Sequence, residues 1–265
     1  MFVLRFVLTV GVVCGFLQGS GVSPSWNTQP STHIVSFDSA LKDVYCAESP
    51  HVERNTTTCI VFFTGGSSAM TPNIYSRFLS TIVDRNLSVC IPSFFYPNID
   101  LLISSLKREF KEVVVAGHSS GCTVALNACG RNRVEKVILM DPVNTRFNDT
   151  TRKFDIPRVG SILFLNAMKS YHTTFDPFGL PFIPVGIMRL SFLRITPDIL
   201  DIGSGCNFTH IEYPNHGHCD ILNPGWSNLM HYTRIAVGNR IRTMEMFKTY
   251  HTDIANTWCD FIGRL

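Results

Sequence analysis

The chain has 265 residues, 45% of them hydrophobic and 16% charged, with a formal net charge of +3. That is apolar material enough for one domain with a sizeable core. The basic residues do not cluster, which argues against a nucleic-acid partner.

The chain opens with Arg5 followed by an apolar run from Phe6 to Leu17 and the small residues Gly19, Ser20 and Gly21. A positive start, a short apolar stretch and a small-residue site predict a cleavable signal peptide over 1–22, leaving a single domain over 23–265. The run is too short to span a bilayer comfortably, which ranks an anchor helix second. Four N-x-[S/T] sequons, at Asn55, Asn86, Asn148 and Asn207, fit a glycoprotein that is secreted or resides in the endomembrane lumen. Of nine cysteines, Cys14 lies in the leader, so the mature chain keeps eight, an even number that suits disulfides in an oxidising compartment. Cys46 with Cys59, and Cys206 with Cys219, are the pairings suggested by position. No CxxC pair is present, and no structural zinc site or other metal is expected.

Apolar runs of strand length then alternate with helical stretches. Cys59–Phe63 is β-branched and aromatic and reads as a buried strand, followed by the loop Thr64-Gly65-Gly66. A helix is predicted over 74–85, a strand over 87–91, a helix over 99–110 and a strand over 112–116. Cys122–Ala128 reads as helical, with Gly130 as its C-cap. Strands follow over 134–140, 161–165 and 209–213. A last amphipathic helix lies within 240–262, carrying Met244, Phe247, Tyr250, Ile254, Trp258 and Phe261 at helical spacing. Strands of this kind alternating with helices predict a mostly parallel sheet covered on both faces. In such a sheet the reactive residues belong just past the carboxyl ends of strands.

That is where they fall. Gly117-His118-Ser119-Ser120-Gly121 is a G-x-S-x-G nucleophile elbow, the signature of the α/β-hydrolase fold. The pentapeptide arises by chance in about one chain in ten of this length, so its context carries the weight. A Val-rich strand runs directly into it and a helix directly out. Ser119 is therefore the expected nucleophile, at a helix N-terminus that favours developing negative charge. A serine hydroxyl needs a base, and the chain order of this fold is serine, acid, histidine. His218 is the best base, in the loop Asn215-His216-Gly217-His218-Cys219-Asp220 past the last predicted strand, with His216 its rival. Position alone divides the acid evenly between Asp141, which ends a strand, and Asp176, which follows the next one; Asp198 and Asp201 are more remote. The oxyanion hole calls for two backbone N–H donors: Ser120 on one side, and Gly65 or Gly66 on the other.

The three motifs together resemble chlorophyllases and their lipase-like relatives. That family shows a G-H-S-R-G-G elbow, a D-P-V after the following strand and a G-H-M-D-x-L around its histidine. Here the corresponding segments are Gly117 to Cys122, Asp141-Pro142-Val143 and Gly217-His218-Cys219-Asp220-Ile221-Leu222. The resemblance implies Ser119, Asp141 and His218 as the triad. The chain departs from the family at Ser120 and Cys122 in the elbow and at Thr64 before the loop glycine, changes that alter the pocket while leaving the backbone donors.

The expected activity is cofactor-free hydrolysis of small hydrophobic carboxylic esters through an acyl-enzyme. A lipase or phospholipase A-type acylhydrolase is the alternative, and a hydrolase-fold binding protein without catalysis is the alternative of another class. The apolar stretch from Phe175 to Leu193 is a candidate cap for a long acyl or phytyl chain, which would bring transient contact with a lipid surface; ordinary core packing is the competing reading. Oligomeric state is not legible in the sequence.

Overall fold

The computed structural model describes residues 44–49, 52–66, 70–93, 98–143, 154–156, 159–169, 174–175, 188–189, 195–232, 236–237 and 243–263. The predicted leader, Asn148, Asp176 and nearly all of 175–193 lie outside them.

The central sheet takes seven strands: β1 (Val44–Ala47), β2 (Thr58–Phe63), β3 (Ser88–Pro92), β4 (Glu112–His118), β5 (Lys136–Met140), β7 (Ser161–Ala167) and β11 (Asn207–Tyr213). Their spatial order is β1-β3-β2-β4-β5-β7-β11. Every pairing is parallel except that of β1 with β3. Two small sheets lie outside it: β6 (Phe154–Ile156) with β10 (Leu200–Ile202), and a three-stranded one of β8 (Thr174–Phe175), β9 (Met188–Arg189) and β12 (Ala236–Val237).

The helices are α1 (Ser76–Val83), α2 (Ile99–Glu109), α3 (Gly121–Asn132), α4 (Pro224–Tyr232) and α5 (Met244–Ile262). Strand alternation sends successive side chains to opposite faces, and both faces are apolar. Cys59, Val61 and Phe63 join a core with Leu102, Leu106 and Ala125 of α2 and α3. Ile60 and Phe62 join the opposite core with Phe78 and Ile82 of α1 and Ile254 and Trp258 of α5. There Phe78 and Trp258 meet edge-to-face with centroids 5.2 Å apart, a geometry that suits the ring quadrupoles.

Helix ends follow local chemistry. Asn98 caps α2 by accepting from the Leu101 N–H at 2.9 Å, and Thr243 caps α5 through the Met246 N–H. The cap of α1 comes from far along the chain, since the Arg77 N–H donates to the Asn223 side chain at 3.0 Å. The α3 helix does not stop at Gly130, which is exposed within it. It stops at Arg133, which takes the left-handed conformation with φ 51°, while the Lys107 ammonium donates to the carbonyls of Asn132 and Arg133. A lysine reaching over from α2 thus caps an end that the sequence assigned to glycine.

The two suggested disulfides are excluded by topology. β3 lies between β1 and β2, so Cys46 and Cys59 sit two strand spacings, roughly 10 Å, apart. Cys206, just before β11, packs against the core on one face of the sheet, and Cys219, in the loop after β11, belongs to the core on the other face. A disulfide needs Cα atoms within about 7 Å. The eight cysteines among the described residues are all thiols.

Candidate active site

β4 runs into α3 through a turn in which Ser119 has φ +57°. That left-handed backbone costs a non-glycine residue about 1–3 kcal/mol and is stored where the fold over-determines it. The flanking glycines make the turn sterically feasible. A Cβ on Gly117 would lie 2.7 Å from the backbone of Cys122, and one on Gly121 would lie 2.2 Å from the Phe63 carbonyl oxygen. The Ser119 N–H donates to the Met140 carbonyl at 3.0 Å and its carbonyl accepts from Val143 at 3.1 Å, which locks the elbow to the end of β5.

Asp141 follows β5 and is also left-handed, with φ +44°. Its N–H donates to Leu165 O at 2.7 Å, and its Oδ1 accepts from the Ala167 N–H at 3.3 Å. The carboxylate is therefore aimed by the adjacent strand β7. Its Oδ2 meets His218 Nδ1 in a short contact. His218 Nε2 lies 2.9 Å from Ser119 Oγ. All three side chains are buried. With the proton on Nδ1 facing the carboxylate, Nε2 carries the lone pair and accepts from the serine hydroxyl. The arrangement can deprotonate Ser119 as it attacks and stabilise the imidazolium that forms.

Among the described rivals, His216, Asp198 and Asp201, none joins this chain of contacts; Asp176 lies outside the described residues. His216 stacks on Tyr250 with centroids 3.8 Å apart and lies 3.6 Å from Asp220. Asp198 and Asp201 are exposed, in a 3₁₀ turn and in β10. The His218 loop is held by Asp220, whose buried Oδ2 accepts from the Gly217 N–H at 2.8 Å and whose carbonyl accepts from His251 at 3.0 Å.

A second polar chain links the loop after β2 to the histidine. The Gly65 N–H donates to the Tyr75 hydroxyl at 3.0 Å. The Tyr75 hydroxyl is 2.8 Å from His118 Nδ1, and His118 Nε2 is 3.0 Å from the His218 carbonyl oxygen. Burial, reinforced by the repulsion a protonated His218 would exert, pushes His118 down to about 3, so its ring is neutral. Nε2–H must then donate to the carbonyl, and Nδ1 must accept from the tyrosine hydroxyl. This corrects one expectation: Gly65 spends its N–H on Tyr75, which leaves Gly66, with φ +63°, as the loop's candidate oxyanion donor opposite Ser120. Tyr75 and His118 were not singled out as functional in the sequence. His118 occupies a variable position of the elbow, and Tyr75 counts only as one apolar residue of a helical pattern.

Asn55, Asn86 and Asn207 are exposed. Among the described residues no group of three or more His, Cys, Asp or Glu is arranged to hold a metal, and no helix is long and apolar enough to cross a membrane.

Neither a scan against protein-family models nor a search of curated proteins finds a match. Solved structures do match in fold. Esterase 2 of Thermogutta terrifontis phosphonylated by sarin superposes with a TM-score of 0.51 at 12% identity, over 90% of this chain and 97% of that one. A mutant of the esterase rPPE gives 0.51 at 10% identity, over 84% of this chain and 79% of that one. The fold shared with them is the α/β-hydrolase fold, in agreement with the strand order and the sequence expectation.

Proposed function

We propose that the protein is a serine esterase that hydrolyses carboxylic esters of hydrophobic substrates through an acyl-enzyme. The observation that carries this reading is the chain Ser119 Oγ, His218 Nε2 and His218 Nδ1, Asp141 Oδ2, with 2.9 Å at its reacting end. His218 takes the Ser119 proton as Oγ attacks the ester carbonyl. The N–H groups of Gly66 and Ser120 hold the oxyanion, aided by the N-terminus of α3. His218 then protonates the leaving alcohol, and a water, activated by the same imidazole, releases the acid. The protein's own residues suffice for each step.

The chlorophyllase-like motifs around Ser119, Asp141 and His218 favour a substrate with a long apolar arm, and the apolar stretch 175–193 is our candidate for its cap. A leader over 1–22 and exposed sequon asparagines support secretion. The test is to express the chain in a secretory host and expose it to a fluorophosphonate probe beside Ser119→Ala. Hydrolysis of p-nitrophenyl butyrate and palmitate, then chlorophyll a, is followed in parallel. Labelling at Ser119, with activity lost in the variant, is the expected result. Preference for palmitate without chlorophyll turnover would point to the lipase-like alternative. A folded protein that neither labels nor hydrolyses any of the three esters overturns the enzyme reading in favour of a binding protein.

A further inference from the structure

Three thiols line up across the edge of the central sheet, outside the candidate active site. Cys46 of β1, Cys90 of β3 and Cys59 of β2 lie on three adjacent strands and face the same core. All are buried, at 2%, 1% and 0% exposure. Cys90, in the middle, has its sulfur 2.8 Å from that of Cys46 and 3.6 Å from that of Cys59.

We propose that Cys46 and Cys90 are a disulfide-forming pair that clamps the antiparallel edge strand to the sheet, with Cys59 remaining a thiol. Register decides between the two partners of Cys90. Cys46 and Cys90 are directly opposite each other in the antiparallel pair, where Cα atoms lie about 4.5–5.5 Å apart, within disulfide range. In the parallel pair, Cys90 stands opposite Val61 and Cys59 stands opposite Ser88, so Cys59 and Cys90 are offset along the strands. A gap of 2.8 Å is also closer than two non-bonded sulfurs rest, and closing it to about 2.05 Å needs only a small movement of the two side chains.

The chemistry is thiol–disulfide exchange with a small-molecule disulfide such as oxidised glutathione. The Cys90 thiolate attacks one glutathione sulfur, releasing one glutathione thiolate. The Cys46 thiolate then attacks Cys90 Sγ and releases the second. The protein thiols lose two electrons and two protons, and one oxidised glutathione becomes two reduced ones. Because both cysteines are buried, the bond forms as the chain folds. It ties together positions 44 residues apart in sequence and so restricts the unfolded chain.

The test is peptide mapping of the full chain. Protein from a secretory host, and protein refolded from the reduced state in a glutathione buffer of secretory-lumen poise, is alkylated in denaturant without reduction, digested and read by mass spectrometry. The expected product is a Cys46–Cys90 linked peptide with Cys59 alkylated, from both sources. Cys46 and Cys90 both alkylated, or either one linked to Cys59 or to another cysteine, overturns the proposal. Cys59→Ser should keep the linked peptide, and protein refolded with its thiols kept reduced should melt about 10 °C below the oxidised protein. The map needs no variant to fold, and it is independent of whether the protein hydrolyses esters.

Discussion

At the scale of single residues the site divides into groups that would touch the reacting atoms and groups that hold them. Ser119→Ala and His218→Ala should each lower kcat by about 10³-fold or more with the fold intact, as circular dichroism and ester turnover would show together. Asp141→Asn keeps the shape but offers Nδ1 the wrong partner, so a loss of about 10³–10⁴-fold is expected. Tyr75 belongs to the second group. Its hydroxyl accepts from Gly65 and donates to His118, and so ties the oxyanion loop to the main chain of His218. Tyr75→Phe leaves a backbone N–H and an imidazole nitrogen without partners. We expect kcat to fall about tenfold, roughly 1.4 kcal/mol, with KM nearly unchanged. A raised KM at constant kcat would instead make Tyr75 a substrate-binding residue.

At the scale of elements the elbow shows how much a turn depends on what packs beside it. Gly121 opens α3 directly against the end of β2, 2.2 Å from the Phe63 carbonyl for any added Cβ. Backbone cannot yield there as a side-chain tip can. Gly121→Ala should cost about 3 kcal/mol of stability, measured by denaturant unfolding. By contrast Gly130 has nothing within 4 Å of an added Cβ and sits on the exposed side of the same helix. Gly130→Ala should stabilise the protein by about 1 kcal/mol, because alanine outranks glycine inside a helix. The opposite signs within one short helix test the reading of both positions. The sequence showed α3 by pattern, but its end was misread, because the lysine that caps it arrives from α2.

For the whole molecule, two buried histidines make stability depend on pH. Burial pushes His118 down to about 3 and His251 down to about 4, from an ordinary value of 6.5. Between pH 6.5 and about 4 the unfolded chain therefore binds protons at both sites while the folded chain does not. Stability is fully present above 6.5 and is lost as pH falls through this window, by up to about 2.7 kcal/mol per pH unit from the pair. Urea unfolding across pH 4.5–7 should show that slope, and His251→Phe should remove about half of it whatever its effect at neutral pH.

The sequence by itself determined the sheet strands from β2 onward, the flanking helices, and the elbow around Ser119. Those signals are local: apolar runs with strand length, helical spacing, and glycines exactly where a strand must turn into a helix. It also brought His218 forward, since it follows the last strand in the required order, whereas Asp141 stood level with Asp176 by position and was favoured only by the resemblance of the surrounding motifs. The edge strand β1 was missed because four residues give no periodicity. Helix α4 and the small sheets went unread for the same lack of a repeated pattern. Only the tertiary structure decided that His216 stacks on Tyr250 while His218 reaches Ser119, because the two differ by a single turn of one loop. Only it showed Gly65 bound to Tyr75, and Cys90 standing between Cys46 and Cys59. Such choices depend on which strands become neighbours, and strand order is a property of the folded sheet that spacing along the chain does not encode.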